Sequence, residues 1–372
     1  MRVLQIVESF GGGVGRHVVD LSAGLLERGH EVDLIYASAR MDVGTTAGLA
    51  KLVHMGAATF ELPLTRSPGP ADLGAIREIK AYIRKHGPFD VVHGQSSKGG
   101  ALARLAGHHY PAVVVYTPHA ISTMNPTLSG KSKLMLSTIE KALAPKADAI
   151  ICVSGDEEKH IIGLGIDPQK LHLVPNGIVL PEERPARAAN KTVGFVGRLE
   201  PQKDPLNLIE AFARNADRHP DWTLAMVGYG PLEAEAKGYA EAQGLAGRVR
   251  WLGNQPGEEA MRGFEIFCLP SRYEAMPYVL LEALAAGVPI VSTECGGARL
   301  AIEPETNGLI VPIQNPVELA KALDRLMGDD ALRATMADAA WRKASEFSQD
   351  RMVEATLKVY ESLMAEKRKR AR

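Results

Sequence analysis

The sequence predicts an α/β protein built of two tandem Rossmann-like domains, and three observations carry that reading. Short, fully apolar runs alternate with stretches of helical period along the whole chain. The alternation stops once, near residue 185, and then starts again. The 372 residues exceed one ordinary domain of roughly 150 residues. Apolar strands separated by helices indicate parallel sheets covered on both faces.

In chain order, the first strand candidates are Val3–Val7, Val32–Tyr36, Val91–His93, Val113–Thr117, Ala149–Val153 and Leu171–Val174. Helical spacing fills Val18–Arg28 and Leu73–Lys85 between them. Residues 180–192 carry two prolines and mixed charge with no period, the composition of a linker. The second series is Thr192–Val196, Trp222–Val227, Val249–Leu252, Ile266–Leu269, Ile290–Ser292 and Leu309–Val311, with helices at Pro205–Arg214 and Pro277–Ala286. A long helical stretch follows Ser348 and ends in the basic cluster Lys367–Arg372. The predicted domains are 1–180 and 190–350, facing each other across a cleft, with residues 350–372 as a final helix.

Composition narrows the classes. Apolar residues make up 45% and charged residues 23%, a soluble globular balance. With 43 Lys+Arg against 44 Asp+Glu there is no cationic excess for nucleic acid. Cys152, Cys268 and Cys295 are far apart and form no CxxC pair, which suits a reducing compartment. No apolar run reaches membrane-spanning length, and Glu8 with a glycine cluster stands where a signal peptide would need its apolar core. The chain therefore reads as cytoplasmic.

In open parallel sheets ligands sit beyond the carboxyl ends of the strands, so the loops there are the places to search. Gly11-Gly12-Gly13-Val14-Gly15 follows the first strand and precedes a helix expected from Arg16. Glycines admit close backbone approach to an anion at a helix start. The run misses the dinucleotide spacing GxGxxG, because residue 16 is Arg. Tyr36-Ala37-Ser38 stands where a ribose-binding acid is needed. Phe195–Pro205 contains Arg198 and Lys203 in one strand-to-helix loop, able to hold a diphosphate by a forked and a point charge. Ser271–Pro289 places Glu274 before a helix expected from Pro277, and Glu282 inside it. A carboxylate on an otherwise apolar helix face needs a polar partner.

Other segments carry weaker signals. His119 stands at a strand end in Thr117-Pro118-His119. Lys98, in His93–Gly100, could meet an acceptor phosphate, with Ser96 or Ser97 as helix cap. Ser154 and Glu157 read as a capping box. Asp329-Asp330 reads as a capping or solvated pair. The histidines have no metal-ligand spacing and no DxD cluster is present, so no metal is assigned. Lys131 and Lys133 among apolar neighbours, and the basic tail, are candidates for contact with an anionic membrane surface.

The string Ser271-x-x-Glu274-x-x-Pro277-x-x-x-x-Glu282-Ala283-x-Ala285-x-Gly287-x-Pro289 resembles the signature of family 4 retaining glycosyltransferases of the GT-B fold. Gly197-Arg198-Leu199 with Lys203, and Val174-Pro175-Asn176-Gly177, resemble two further strings of that family. The resemblance spans essentially the whole chain. It implies a hexosyltransferase that takes the sugar of a UDP- or GDP-linked donor, needs no metal or other cofactor, and serves a glycan or lipid-linked acceptor in envelope or exopolysaccharide synthesis.

The resemblance also implies roles. Arg198 and Lys203 would hold the diphosphate, and Glu282 the ribose. Glu274 would hold sugar hydroxyls, with the amides of Ala275 and Met276 seating sugar and phosphate. Gly12 and Gly13 would lie against diphosphate or acceptor, and His119 near the reacting sugar. Gly15 and Lys98 are candidates for the acceptor side. The final helix would return to the first domain, which would carry the acceptor while the second carries the donor. Ala275 and Ala120 stand where many relatives have glycine, and Ala275 narrows the sugar subsite. Three rivals compete: a nicotinamide oxidoreductase, a non-catalytic sugar-nucleotide binder and a same-fold epimerase.

Overall fold

The computed structural model describes every residue except Arg66, Arg187, Ala188 and Arg372, and the side chain of Ala371. The chain forms two compact units, residues 1–177 with 349–372, and residues 178–348. Residues 187 and 188 of the expected linker, and the last residue of the basic tail, lie outside the described residues.

Unit 1 runs β1 (Arg2–Val7), α1 (Gly12–Glu27), β2 (Glu31–Tyr36), α2 (Val43–His54), β3 (Ala58–Glu61), α3 (Ala71–His86), β4 (Val91–Gln95), α4 (Ser96–Gly107), β5 (Val113–Thr117), α5 (Gly130–Leu143), β6 (Ala149–Cys152), α6 (Gly155–Gly163) and β7 (Leu171–Leu173). Unit 2 runs β8 (Thr192–Val196), α7 (Pro205–Ala213), β9 (Thr223–Val227), α8 (Glu233–Ala242), β10 (Val249–Gly253), α9 (Gly257–Met261), β11 (Ile266–Leu269), α10 (Tyr278–Ala285), β12 (Ile290–Thr293), α11 (Ala298–Ala301), β13 (Gly308–Val311), α12 (Pro316–Gly328) and α13 (Asp330–Ala344). The last helix, α14 (Gln349–Ala371), belongs to unit 1.

Both sheets are parallel. Their strand orders are β3-β2-β1-β4-β5-β6-β7 and β10-β9-β8-β11-β12-β13. The order reverses between β1 and β4 in unit 1 and between β8 and β11 in unit 2, so a crevice opens at the carboxyl ends of those pairs. The glycine run follows β1, the His93–Gly100 segment spans the end of β4, the Arg198 loop follows β8, and the Glu274 loop follows β11. The sheet order thus brings each sequence motif to a switch point.

Burial explains why these runs became strands. β4, β5 and β8 are buried at every residue, as sheets covered on both faces require. On one face of the first sheet, Val3, Leu21, Val91 and Val113 pack with Met352, Val353 and Tyr360 of α14. Gly24 of α1 lets α14 come close, since a Cβ there would run into Val353. In unit 2, Phe195, Leu208, Phe212, Trp222, Met226 and Leu323 form the core. Arg104, fully buried, pairs with Glu140 at 2.9 Å, and the Tyr116 hydroxyl donates to the same carboxylate at 3.1 Å.

Five local expectations need correction. β3 was not foreseen: its Ala58-Thr59-Phe60-Glu61 is an edge strand, partly solvated, without the apolar run that marks the others. Helix α1 begins at Gly12 rather than Arg16, with Gly11 as its extended N-cap. Neither Ser96 nor Ser97 caps α4. Gln95 occupies the cap position, and Ser97 Oγ bonds Ser122 Oγ at 2.8 Å instead. Helix α10 starts at Tyr278, with Pro277 as its N-cap. Of the two other caps foreseen, Asp329 does accept from Leu332 N at 2.8 Å. Ser154 accepts from Glu157 N, but the Glu157 carboxylate turns to Val153, Ala120 and Ile121 amides rather than back to Ser154. Among the described residues no helix is long and apolar enough to cross a membrane.

Candidate active site

In unit 2 the two motif loops are joined by a set of polar links. Lys203 Nζ donates to Glu274 Oε1 at 2.6 Å, with the carboxylate 9% exposed. Gln202 Nε2 donates to Tyr273 O at 3.1 Å and reaches Glu274 Oε2 at 3.4 Å. Arg272 N donates to Gln202 O at 2.8 Å, and its guanidinium pairs with Asp204 at 2.9 Å. Asp204, the N-cap of α7, has left-handed backbone (φ +47°), and its salt bridge helps hold that turn.

Arg198 stands apart from this set. Its side chain is 61% exposed and, among the described residues, meets only the Glu200 carboxylate, at 3.5 Å. A guanidinium so placed is available to an incoming anion. Ala275 and Met276 are buried beside the α11 loop, where Gly296 and Gly297 leave no room for a Cβ against the carbonyls of Glu274 and Ala275. Glu282 projects from α10, is 6% exposed, and lies so close to Gly257 that a side chain there would meet its carboxylate.

Unit 1 presents a different chemistry. Gly12 has φ +54°, open to glycine at little cost, and its amide donates to Asp42 Oδ2 at 2.7 Å. The first donor of α1 is therefore held by a carboxylate from α2's cap. Gly12 and Gly13 are exposed, whereas Gly15 is buried and a Cβ on it would run into Thr45. Gly15 sets the approach of α1 to α2 and offers no face to an acceptor. Lys98 is buried too. It pairs with Asp72 at 2.5 Å and donates to Ser67 O at 2.8 Å, so it ties down the segment before α3 instead of standing open to a phosphate.

His119 follows β5 with φ +54°, and Ala120 follows with φ +71°. Two successive left-handed residues outside glycine are strained, and the Glu157 carboxylate holds the turn through the Ala120 and Ile121 amides at 2.8 and 3.0 Å. His119 Nε2 meets Gln95 Oε1 at 2.8 Å, and its ring stands edge-on to His17 at 4.4 Å between centroids. Burial lowers the His17 pKa to about 4, against the pull of its bond to Asn176 Oδ1 at 3.1 Å. Burial, then the neighbouring imidazoles, push His119 and His93 well below the usual histidine range. All three rings are neutral near pH 7.

Sequence reasoning singled out Arg198, Lys203, Glu274, Glu282 and His119, and of these the structure brings Lys203 to Glu274 in unit 2. It missed Gln202 in unit 2, and His17, His93, Gln95 and Tyr360 in unit 1. Among the described residues no group of three His, Cys, Asp or Glu side chains is placed to hold a metal ion.

Comparison with known proteins adds an independent line. Residues 11–181 match the family described as Glycosyltransferase Family 4, and residues 180–343 match Glycosyl transferases group 1. A D-inositol 3-phosphate glycosyltransferase of Corynebacterium jeikeium is 30% identical, covering 95% of this chain and 92% of its own. The protein of the same name from Salinispora tropica is 28% identical over 96% of this chain and 83% of its own. Among solved structures, HepE from Anabaena in complex with UDP superposes with a TM-score of 0.81 at 20% identity, covering 97% of this chain and 100% of its own. A sucrose-phosphate synthase from Thermosynechococcus elongatus gives 0.82 at 22% identity, covering 98% and 100%. Both likenesses speak to the fold.

Proposed function

This chain belongs to the family 4 glycosyltransferases of the GT-B fold, and from that premise we propose that it moves a hexosyl group from a nucleoside-diphosphate sugar to an acceptor hydroxyl with retention of configuration and without a metal. The observation that supports the reading is the Lys203–Glu274 contact at the switch point of unit 2, where the cation would meet the diphosphate and the carboxylate the sugar.

The chemistry follows from the residues. The donor diphosphate takes its place beside Lys203 and the exposed guanidinium of Arg198. Their charge stabilises the departing nucleoside diphosphate as the bond from its oxygen to the anomeric carbon lengthens. Glu274, relieved of part of its hold on Lys203, accepts hydrogen bonds from sugar hydroxyls. Glu282 takes the ribose, and the Ala275 and Met276 amides seat the sugar. The acceptor hydroxyl attacks the anomeric carbon on the face that the diphosphate leaves. A new carbon–oxygen bond forms, and the departing phosphate oxygen takes the hydroxyl proton. Within unit 1, His119 and the exposed Gly12 and Gly13 are the candidates for contact with sugar, diphosphate or acceptor.

The donor is UDP- or GDP-linked. Similar structures bound to UDP, and to UDP-glucose in Anabaena HepE, favour UDP. For the acceptor, the glycan or lipid-linked reading competes with a phosphorylated polyol, which the names of the relatives favour. Leu134 and Met135, both exposed on α5 near Lys131 and Lys141, support association with an anionic membrane surface if the acceptor is lipid-linked.

The test is thermal stabilisation by UDP, GDP and ADP, followed by nucleotide release with a panel of glycan, lipid-linked and polyol-phosphate acceptors. A ligand of the native state raises its melting point. The expected result is stabilisation by one diphosphate and turnover only with an acceptor present, the product keeping the donor's anomeric configuration. Conversion of donor without acceptor would mean an epimerase. Binding without turnover on every acceptor would mean a binding module.

A further inference from the structure

In unit 2, three consecutive residues of one motif loop close on three of the other. Arg272 N donates to Gln202 O at 2.8 Å, and the Arg272 guanidinium pairs with Asp204 at 2.9 Å. The Gln202 amide returns the contact, Nε2 donating to Tyr273 O at 3.1 Å and reaching Glu274 Oε2 at 3.4 Å. Lys203 Nζ holds the other oxygen of the same carboxylate, Oε1, at 2.6 Å. Glu274 is thus gripped at both oxygens from adjacent positions of one loop.

The partners fix which way the amide points. A backbone carbonyl and a carboxylate paired with an ammonium can only accept, so the NH₂ of Gln202 faces both, with two hydrogens for two acceptors. Gln202 is itself held in place. Its own carbonyl takes the Arg272 amide, and Asp204, two residues on, is tied to the Arg272 guanidinium.

The two grips on Glu274 answer a ligand differently. An incoming diphosphate competes with Glu274 for the Lys203 ammonium, because both are anions. The Gln202 amide carries no charge and its hydrogens are committed, so it has less cause to move. Glu274 is buried, and a buried carboxylate that loses every donor is costly. A carboxylate has about four lone-pair sites. With one taken by Gln202 and one given up by Lys203, the rest can accept from sugar hydroxyls.

We propose that Gln202 is a positioning residue that keeps the Glu274 carboxylate set for the donor sugar while Lys203 turns its charge to the diphosphate. The inference rests on the reading that Lys203 takes the diphosphate and Glu274 the sugar hydroxyls. It makes Gln202 a residue that serves the sugar and leaves the nucleotide alone. Every group in it belongs to unit 2.

Gln202→Met keeps the length of the side chain and removes both hydrogens. Titration calorimetry on the full-length protein compares UDP with UDP-glucose, and GDP with GDP-mannose, and the pair that binds wild type is carried through. Gln202→Met should weaken the nucleotide sugar about fivefold, the scale of one hydrogen bond, and leave the nucleoside diphosphate within about twofold. In a Glu274→Ala background the same change should add nothing to the loss of nucleotide-sugar affinity, because residues that act through one another are not additive. Should Gln202→Met fold poorly, Gln202→Asn, one methylene too short to reach Glu274, should show the same split. Equal weakening of diphosphate and nucleotide sugar would make Gln202 a support of the loop alone and overturn the proposal. So would wild-type affinity for the nucleotide sugar, or an undiminished effect in the Glu274→Ala background. Wild type that binds neither pair would instead remove the nucleotide-sugar reading, and the inference with it.

Discussion

The two units place opposite chemistry at the same topological position. At its switch point unit 2 gathers charge: Lys203 on Glu274, Arg272 on Asp204, and Arg198 toward solvent. At its own switch point unit 1 gathers uncharged groups, with His17, His93, Gln5 and Gln95 buried and the His119 ring half-buried beside them. A diphosphate brings negative charge that must be matched. A reacting sugar brings hydroxyls and a passing positive charge, which neutral acceptors serve better. The same fold thus carries a charged switch point in unit 2 and a largely uncharged one in unit 1, and each can be perturbed without the other.

The largest effect should come from breaking the charged switch point. Lys203→Ala removes a charge from the leaving group and leaves Glu274 without its ammonium partner. Turnover should fall by about 10²–10³-fold, the scale of losing one preorganised transition-state contact. Steady-state nucleotide release measures it. Glu274→Ala should likewise cut turnover by more than it weakens binding of the free nucleoside diphosphate. Wild-type turnover in either variant contradicts the assignment of the loops.

Acid should find the uncharged switch point first. His17 titrates at about 4 in the fold and near 6.5 when unfolded, with His93 and His119 shifted the same way by burial. Between those values the unfolded chain binds protons that the folded one refuses. Their stabilising contribution is therefore complete above pH 6.5 and is lost as pH falls toward 4, about 3 kcal/mol for His17 alone. Glu157, whose carboxyl burial pushes up, offsets part of this because its ionised form is the disfavoured one. All three tryptophans, Trp222, Trp251 and Trp341, lie in unit 2. Melting followed by circular dichroism should thus drop between pH 7 and pH 5 by more than melting followed by tryptophan fluorescence. Identical pH dependence from both probes would deny the asymmetry.

Packing gives a smaller test, confined to unit 1. A Cβ on Gly100 would run into the Tyr116 ring, which is itself clamped by the Arg104–Glu140 pair. Gly100→Ala should cost about 1–3 kcal/mol by overpacking. Gly130→Ala, at the exposed start of α5 with open space around it, should be neutral or slightly stabilising. Chemical denaturation of the two variants compares them directly.

These contrasts show what a sequence discloses. The strands of both sheets were legible because parallel, doubly covered strands are largely apolar, and the edge strand β3, Ala58-Thr59-Phe60-Glu61, escaped because it carries no apolar run. Arg198, Lys203, Glu274 and Glu282 could be singled out because charged residues near strand ends stand out against the apolar runs around them. Gln202 was not, since its contact with Glu274 depends on how two loops 72 residues apart meet. His93 and Gln95 did leave a trace. They alternate on one face of an apolar strand, a pattern that asks for polar partners. Their partner Tyr360 lies 267 residues from His93 and looks like an ordinary core aromatic.

Arg198 gives the finest discrimination between holding the fold and holding the ligand. Its side chain is mostly in water and, among the described residues, meets only Glu200, at 3.5 Å. Arg198→Ala should therefore leave the melting temperature of the free protein almost unchanged, within about 0.5 kcal/mol of stability. The same change should weaken nucleoside-diphosphate binding about tenfold or more, the worth of a charged hydrogen bond. Titration calorimetry reads the second quantity and thermal melting the first. A variant that binds the diphosphate as tightly as wild type would strip Arg198 of its role and leave the charged switch point to Lys203 alone.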